Sequence, residues 1–397
     1  MNMKITDIKT FAVYACRTNF VFVKIETDEG ISGVGEGTLE YKENALMGAI
    51  QDIKRVLIGR DPRQVEQICF DIYRDSYWRL GPVLQSALSA VEIAMWDIKG
   101  KKAGIPVYEM LGGKCREQVR MYANVWFAGA KTPEEFASAA VKAKNMGVTA
   151  LKWDPFGKAY LFMDNAEFKK SIEIVEAVRG TVGNDVDLLI EGHGRFDIAT
   201  SIKIANALKP FEPYFFEEPT PPDSFDAIAE VHRKSPVPIA GGERIYGLMQ
   251  MREYLEKGCV DFVQPDLSHC GGISAVKKMA AMAESHYVAL APHNPSGPIA
   301  NAATLNIAAS TPNFRILEIC LTDVSWRSDF TNEKVVFKNG FIQIPEGVGL
   351  GLELKEENMD KYPMQPIDLR HYKGTLTDVR PAGKTCYYFS GLEEYNN

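Results

Sequence analysis

The chain has 397 residues, 46% hydrophobic and 24% charged, enough for two or three folding units or one barrel with attachments. Its formal net charge of −7 argues against a general nucleic-acid binder and a polybasic membrane surface, so an anionic ligand must be met by a metal ion or a few local cations. The opening MNMKITDIKTF has no apolar core of a signal peptide and no run reaches membrane-spanning length. The seven scattered cysteines (Cys16, Cys69, Cys115, Cys259, Cys270, Cys320, Cys386) form no CxxC, which points to reduced thiols in a cytoplasmic protein.

Residues 4–14 and 20–27 are rich in strand formers and separated by a polar turn at Arg17–Asn19; Asp28-Glu29-Gly30 makes a second turn. Residues 43–58 and 62–77 carry helical patterns. So does 83–103, where Leu84, Leu88, Val91, Met95 and Ile98 step by four and three, before turn chemistry at Gly112-Gly113. From about 119 the texture changes. Short apolar runs at 121–126, 149–153, 187–191, 213–217, 237–241, 260–264, 288–292 and 314–319 alternate with amphipathic stretches such as Pro133–Met146 and Ala166–Arg179. Eight strand–helix units over this length predict an α/β fold with a closed (β/α)8 barrel. The alternation stops near 345. The expected division is an N-terminal α+β unit over 1–118, a barrel over 119–344, and a loop-rich segment over 345–397 that packs back on the N-terminal unit.

Each predicted barrel strand from the third onward ends in a polar residue foreign to a core. DLLIE ends at Glu191, PYFFE at Glu217, VPIAGGE at Glu243, FVQPD at Asp266, LAPH at His293 and RILE at Glu318, recurring about every 26 residues, one βα unit. A single Glu at a strand end is most often a solvated loop acid, and Glu218 beside Glu217 reads that way or as a supporting contact. Six consecutive strand ends in register are another matter. They place one polar side chain per strand at the C-terminal mouth, where barrel active sites form. Carboxylates as close as Glu191, Glu217 and Glu243 repel unless a cation joins them, and an all-oxygen set favours Mg²⁺. Asp266 and His293, on adjacent strands, suit a carboxylate-oriented imidazole base. His193, two residues past Glu191, faces the same way by alternation, opposite His293; Lys152 and Asp154 end the second run in the same phase. His232, His269, His286 and His371 have no partner at a sensible spacing and read as structural or surface residues.

The stretches SALSAVEIAMWDIKGKKAGIPVYEMLGG, LLIEGHGRFD, FFEEP, GGER, VQPDLSHCGGIS and APHNPSG, taken in order, resemble the mandelate racemase branch of the enolase superfamily, and within it the acid-sugar dehydratases of the gluconate and galactonate type. The resemblance covers nearly the whole chain. It implies a capping domain, built from both terminal segments, over a modified barrel. It also implies Mg²⁺ on Glu191, Glu217 and Glu243, His293 with Asp266 as the base, His193 as the general acid, and Glu318 hydrogen-bonded to the substrate carboxylate. The expected substrate is a small polyhydroxy carboxylate. Lys152 would help stabilise the ene-diolate, the cap residues Arg17, Asn19, Tyr77, Trp78 and Arg79 would touch hydroxyls, and Asp154 would bind a hydroxyl or contribute to acid/base work. A homo-oligomer, dimer or octamer, is also implied. One departure matters: the racemases' KxK motif is Lys152-Trp153-Asp154 here, so the second lysine base is missing. This favours elimination, with a racemase, epimerase or cycloisomerase as the alternative and a noncatalytic sugar-acid binder behind it.

Overall fold

The computed structural model describes residues 3–127, 129–368, 370–371, 373–374 and 386–389. Strands β1 (Ile5–Tyr14), β2 (Asn19–Thr27) and β3 (Ser32–Glu36) form an antiparallel meander, followed by helices α1 (Glu43–Leu57), α2 (Val65–Asp75), α3 (Pro82–Ala103) and α4 (Val107–Met110). The sequence pattern did not mark β3, because SGVGE has poor strand propensity. Its glycines are required by packing: a Cβ on Gly35 would lie 1.9 Å from Ala90 O, and one on Gly33 2.1 Å from Ala94 O. Helix α3 therefore lies directly on the sheet, and every residue from Gln85 to Ile98 is buried. Helix α2 starts later than the periodicity predicts, since the Asp61 carboxylate accepts from Arg63 N and its guanidinium and holds a turn there.

The barrel follows as β4 (Gln118–Asn124), α5 (Pro133–Asn145), β5 (Ala150–Trp153), α6 (Asn165–Val182), β6 (Asp187–Glu191), α7 (Ile198–Leu208), β7 (Phe215–Glu217), α8 (Phe225–Lys234), β8 (Ile239–Gly241), α9 (Leu248–Glu256), β9 (Phe262–Val263), α10 (Gly272–Ser285), β10 (Ala289–Leu290), α11 (Pro298–Ser310) and β11 (Leu317–Cys320). The parallel order runs from β4 to β10; β11 pairs with β4, and Leu290 bridges Phe314 just before β11, which closes the ring. Helix starts are written locally: Thr132/Glu135 and Asp164/Glu167 form capping boxes, and Asp197 and Ser224 cap α7 and α8.

Inside the ring, Tyr122, Ala150, Leu189, Phe215, Ala240, Ala291 and Ile316 form one apolar cluster, with Phe262 packed against it. Each of the eight strands contributes one side chain. Alternation then dictates the layer above, two residues further along each strand: Asn124, Lys152, Glu191, Glu217, Gly242, Gln264, His293 and Glu318. The fold thus sets a polar layer directly on an apolar floor.

Strand β12 (Thr322–Asp323) pairs with β15 (Cys386–Tyr387), and the hairpin β13 (Phe337–Lys338) and β14 (Phe341–Gln343) adds to the outer part of β4. Beyond it the chain returns to the first sheet. Glu356 pairs with Lys9 at 3.0 Å and Lys24 at 2.8 Å, Pro363 bridges Val13, and Gln365 N donates to Asn19 Oδ1 at 3.0 Å. Among the described residues no helix is long and apolar enough to cross a membrane. Cys16, Cys69, Cys115, Cys259, Cys270 and Cys320 are free thiols, the last three of these six buried.

Candidate active site

Lys152, at the end of β5, is fully buried and sits among carboxylates. Its Nζ lies 2.6 Å from Glu217 Oε1, 3.0 Å from Glu318 Oε1 and 3.1 Å from Glu191 Oε2. Burial alone would lower the lysine pKa; Glu217, Glu318 and Glu191 outweigh it and keep the ammonium charged. Burial and the neighbouring Glu191 push Glu217 well above the usual carboxylate range. In Glu191 the same burial is outweighed by His193 and Lys152, and its pKa falls. Glu318 spends both oxygens: Oε1 accepts from Asn124 Nδ2 at 2.8 Å as well as from Lys152, and Oε2 accepts from Asn294 N at 2.9 Å. Glu318 thus stands in the polar layer beside Lys152, fixed by three donors.

Glu191, Glu217 and Glu243 each offer an oxygen within 4.8 Å of the others. Glu217 Oε2 is buried and no donor reaches it. Lys152 reaches two of the three converging carboxylates, Glu191 and Glu217, and an orphaned oxygen points among them, so the donor set fits a hard divalent cation. Glu218, next to Glu217, is no solvated loop acid. It is buried, accepts from Gly242 N at 2.8 Å and pairs with Arg244, which fixes the turn that carries Glu243.

Two imidazoles flank this cluster, built alike. His293 Nδ1 lies 2.7 Å from Asp266 Oδ2, and His193 Nδ1 lies 2.7 Å from Asp154 Oδ2. His293 extends from β10 and His193 from β6, four strands apart in a ring of eight and hence on opposite sides of the mouth. Burial opposes charge on His293, but Glu243 and Asp266 prevail and raise its pKa to about 10. Its Nε2 is 3.3 Å from Glu243 Oε2; a cation on Glu243 would compete for that contact and leave the Asp266 bond intact. His193 is likewise raised, burial being outweighed by Glu191 and Asp154. Of the two roles expected for Asp154, a hydroxyl ligand or a part in acid/base work, its bond to His193 fits the second, and it also lines the cavity. Its Oδ2 also meets Arg195 and its Oδ1 accepts from Phe156 N at 2.8 Å, so the carboxylate that orients the imidazole is itself fixed. His193 reaches it because its backbone turns into the left-handed region at φ 52°, with its N–H on Glu191 Oε1 at 2.7 Å.

The cavity above this layer has a volume of about 440 Å³, within the roughly 300–1,000 Å³ of small-molecule sites. Of the cap residues expected there, Arg17 lines it. Asn19 is buried but gives its amide to Glu43 Oε1 and Gln365 O, both at 2.9 Å, and is not in the wall. Tyr77 and Trp78 are 80% and 78% exposed and stand outside the wall, as does Arg79. Residues that the sequence did not single out take their place: Glu40, Tyr41 and Arg370. Two histidines assigned to structure or surface also face the cavity. His269 Nδ1 meets Ser86 Oγ at 2.8 Å while its Nε2 lies 3.7 Å from Asp266, and the ring of His371 sits 5.4 Å from that of His193. His232, bonded to Gly258 O and Asp261, is structural as expected.

Comparison with known proteins agrees with this geometry. Residues 6–112 match the model of the mandelate racemase / muconate lactonizing enzyme N-terminal domain, and residues 135–358 match that of the enolase C-terminal domain-like family. A D-gluconate dehydratase of Thermoproteus tenax is 34% identical over 88% of this chain and 71% of its own length. A D-galactonate dehydratase of Ralstonia nicotianae is 35% identical over 89% of this chain and 93% of its own. A crystal structure of an enolase superfamily member from Salmonella Typhimurium superposes with a TM-score of 0.87 at 34% identity, covering 91% of this chain and 98% of that one. With its capping domain, its (β/α)8 barrel and both family models matched, the chain belongs to the mandelate racemase / muconate lactonizing enzyme family of the enolase superfamily.

Proposed function

We propose that the protein is a hydro-lyase that removes water from an aldonic acid of the gluconate or galactonate kind, taking the proton from C2 and the hydroxyl from C3 to leave a 2-keto-3-deoxy acid. The observation that carries this reading is the pair of carboxylate-backed imidazoles on opposite sides of the acidic cluster, and the dehydratase relatives support it. Elimination needs a base at one carbon and an acid at the next, and it needs both at once.

Glu191, Glu217 and Glu243 would hold Mg²⁺, which when bound supplies Lewis-acid polarisation of the substrate carboxylate. His293 Nε2 takes the C2 proton, with Asp266 holding the ring and balancing the charge it gains. The electron pair left behind spreads onto the carboxylate, where the Lys152 ammonium, itself fixed by Glu318, meets the growing negative charge. His193 gives its proton to the C3 hydroxyl, the C3–O bond breaks, and water leaves. The resulting enol takes a proton at C3 and becomes the keto acid. The isomerase alternative needs a second base facing His293. Lys152 could deliver that proton only by leaving the three carboxylates that hold its ammonium, while His193 stands opposite His293 and in this reading serves the C3 hydroxyl.

The test is a panel of aldonic and aldaric acids incubated with protein and Mg²⁺, followed by a 2-keto acid assay. Keto acid from one or two members, abolished in His293→Asn, is the expected outcome. No keto acid from any member would overturn the reading.

A further inference from the structure

With the carboxylate end of such an acid on the acidic cluster, C2 against His293 and the C3 hydroxyl against His193, the chain continues past His193 toward the cap. His371 lines the cavity on that side. The two rings pack edge to face, with centroids 5.4 Å apart at 72°. A hydroxyl one carbon beyond the leaving group lies one C–C bond from a group already touching His193. We propose that His371, carried by the C-terminal segment, reads the hydroxyl on C4 and so decides between acids of opposite configuration at that carbon. This rests on the dehydratase reading above.

The ring is anchored but not used up. Arg370 ties the segment to the cap, donating to Arg17 O at 2.6 Å and to Glu40 Oε1 at 2.7 Å. Arg17 in turn meets Glu40 Oε1 at 3.3 Å and also bonds Pro295 O at the barrel mouth. The backbone beside His371 is thereby fixed over the cavity. Its own nitrogens have only long contacts: Nδ1 is 3.5 Å from Tyr41 Oη, and Nε2 is 3.6 Å from Glu40 Oε2. Both exceed the length of a good hydrogen bond, so a ligand hydroxyl can improve on them. Burial first, then His193 and Arg370 against the pull of Glu40, brings the pKa of the ring down to about 4. At neutral pH it thus offers one donor and one acceptor nitrogen, the complement of a hydroxyl. Nearby Glu40 and Tyr41 can take a C4 hydroxyl of one configuration that His371 then completes; the opposite configuration points away from all three.

The experiment compares wild type, His371→Ala and His371→Gln on D-gluconate, D-galactonate, which differ only at C4, and the 4-deoxy form of whichever is preferred. Expected is a fall of about tenfold in kcat/KM for the preferred acid in His371→Ala, the scale of one hydrogen bond, carried mainly by KM. The 4-deoxy acid should be unaffected, the ratio between the two epimers should move toward one, and His371→Gln should restore part of it. An equal fall on all three acids would mean that His371 only props His193, and unchanged discrimination would mean that it does not touch C4; either result overturns the inference while leaving the dehydratase reading intact. Wild-type protein that dehydrates no acid would instead overturn that reading, and this inference with it.

Discussion

Two groups of buried acids in this molecule look alike in burial and differ in everything else. Glu191, Glu217 and Glu243 converge at the barrel mouth, two of them on Lys152, and among the described residues no donor reaches Glu217 Oε2. Glu36, Glu92 and Asp97 lie where the cap meets the barrel, and each is filled by donors. Glu36 accepts from Gly297 N at 2.6 Å and Ala300 N at 2.9 Å, at the start of α11. Glu92 accepts from Ile273 N at 2.7 Å and Ser274 N at 2.8 Å, at the start of α10, and from Trp96 Nε1 at 2.8 Å. Asp97 accepts from Val34 N at 3.0 Å and Leu350 N at 2.8 Å and pairs with Lys101. The second group satisfies backbone amides, two of its members at helix N-termini where negative charge is favoured, and so staples cap to barrel. Burial of an acid is therefore no sign of function by itself. The sign is a set of acids that converge with an oxygen left over, rather than one filled by backbone donors.

Substitutions should separate the two groups. Glu217→Gln, nearly isosteric, should cut kcat/KM on the order of 10²–10³-fold, while the protein melts at or above the wild-type temperature because repulsion has been removed. The Mg²⁺-induced rise in melting temperature should disappear with it. An active variant that still responds to Mg²⁺ would remove Glu217 from the site. Glu92→Ala should do the reverse. It strands the amides of Ile273 and Ser274 and should cost about 3–5 kcal/mol in urea unfolding, with kcat per folded molecule unchanged.

A pH effect sharpens the contrast. Burial raises Glu92 to about 7 despite its donors, above its unfolded value of 4.5. The folded state binds this proton more tightly, so the contribution is complete below about pH 4.5 and is lost as pH rises through 7, on the order of 3 kcal/mol. Glu92→Gln should flatten the melting temperature over that interval; an unchanged slope would assign it to other groups. The smallest effect belongs to a third kind of acid. Glu356, partly exposed between Lys9 and Lys24, should cost only about 0.5–1 kcal/mol on Glu356→Ala, less at high salt.

The barrel and its polar layer were legible because both follow from period-two alternation repeated once per βα unit, which fixes height and facing for Lys152, Glu191, Glu217 and His293 alike. Alternation gives facing but not side-chain partners. Asp154 therefore reads equally as a hydroxyl ligand or a part of the acid/base pair, and the left-handed backbone of His193, which turns that imidazole onto it, is what alternation does not show. The cap side of the cavity was the least legible part. The family resemblance puts the turn after α2 over the mouth, yet Tyr77 and Trp78 on it are exposed and stand outside the cavity wall. His371, Arg370 and Glu40 meet only because the chain returns across some 330 residues of sequence, and no local pattern records such a return.

The most direct measurement follows the reaction in D₂O by proton NMR, with Mg²⁺ and a substrate identified from the acid panel. Two-histidine elimination requires a 2-keto-3-deoxy acid bearing one deuterium at C3, with its formation lost in His293→Asn. Deuterium appearing at C2 of the unreacted acid with no keto acid formed would contradict it, and would assign the site to proton exchange at one carbon.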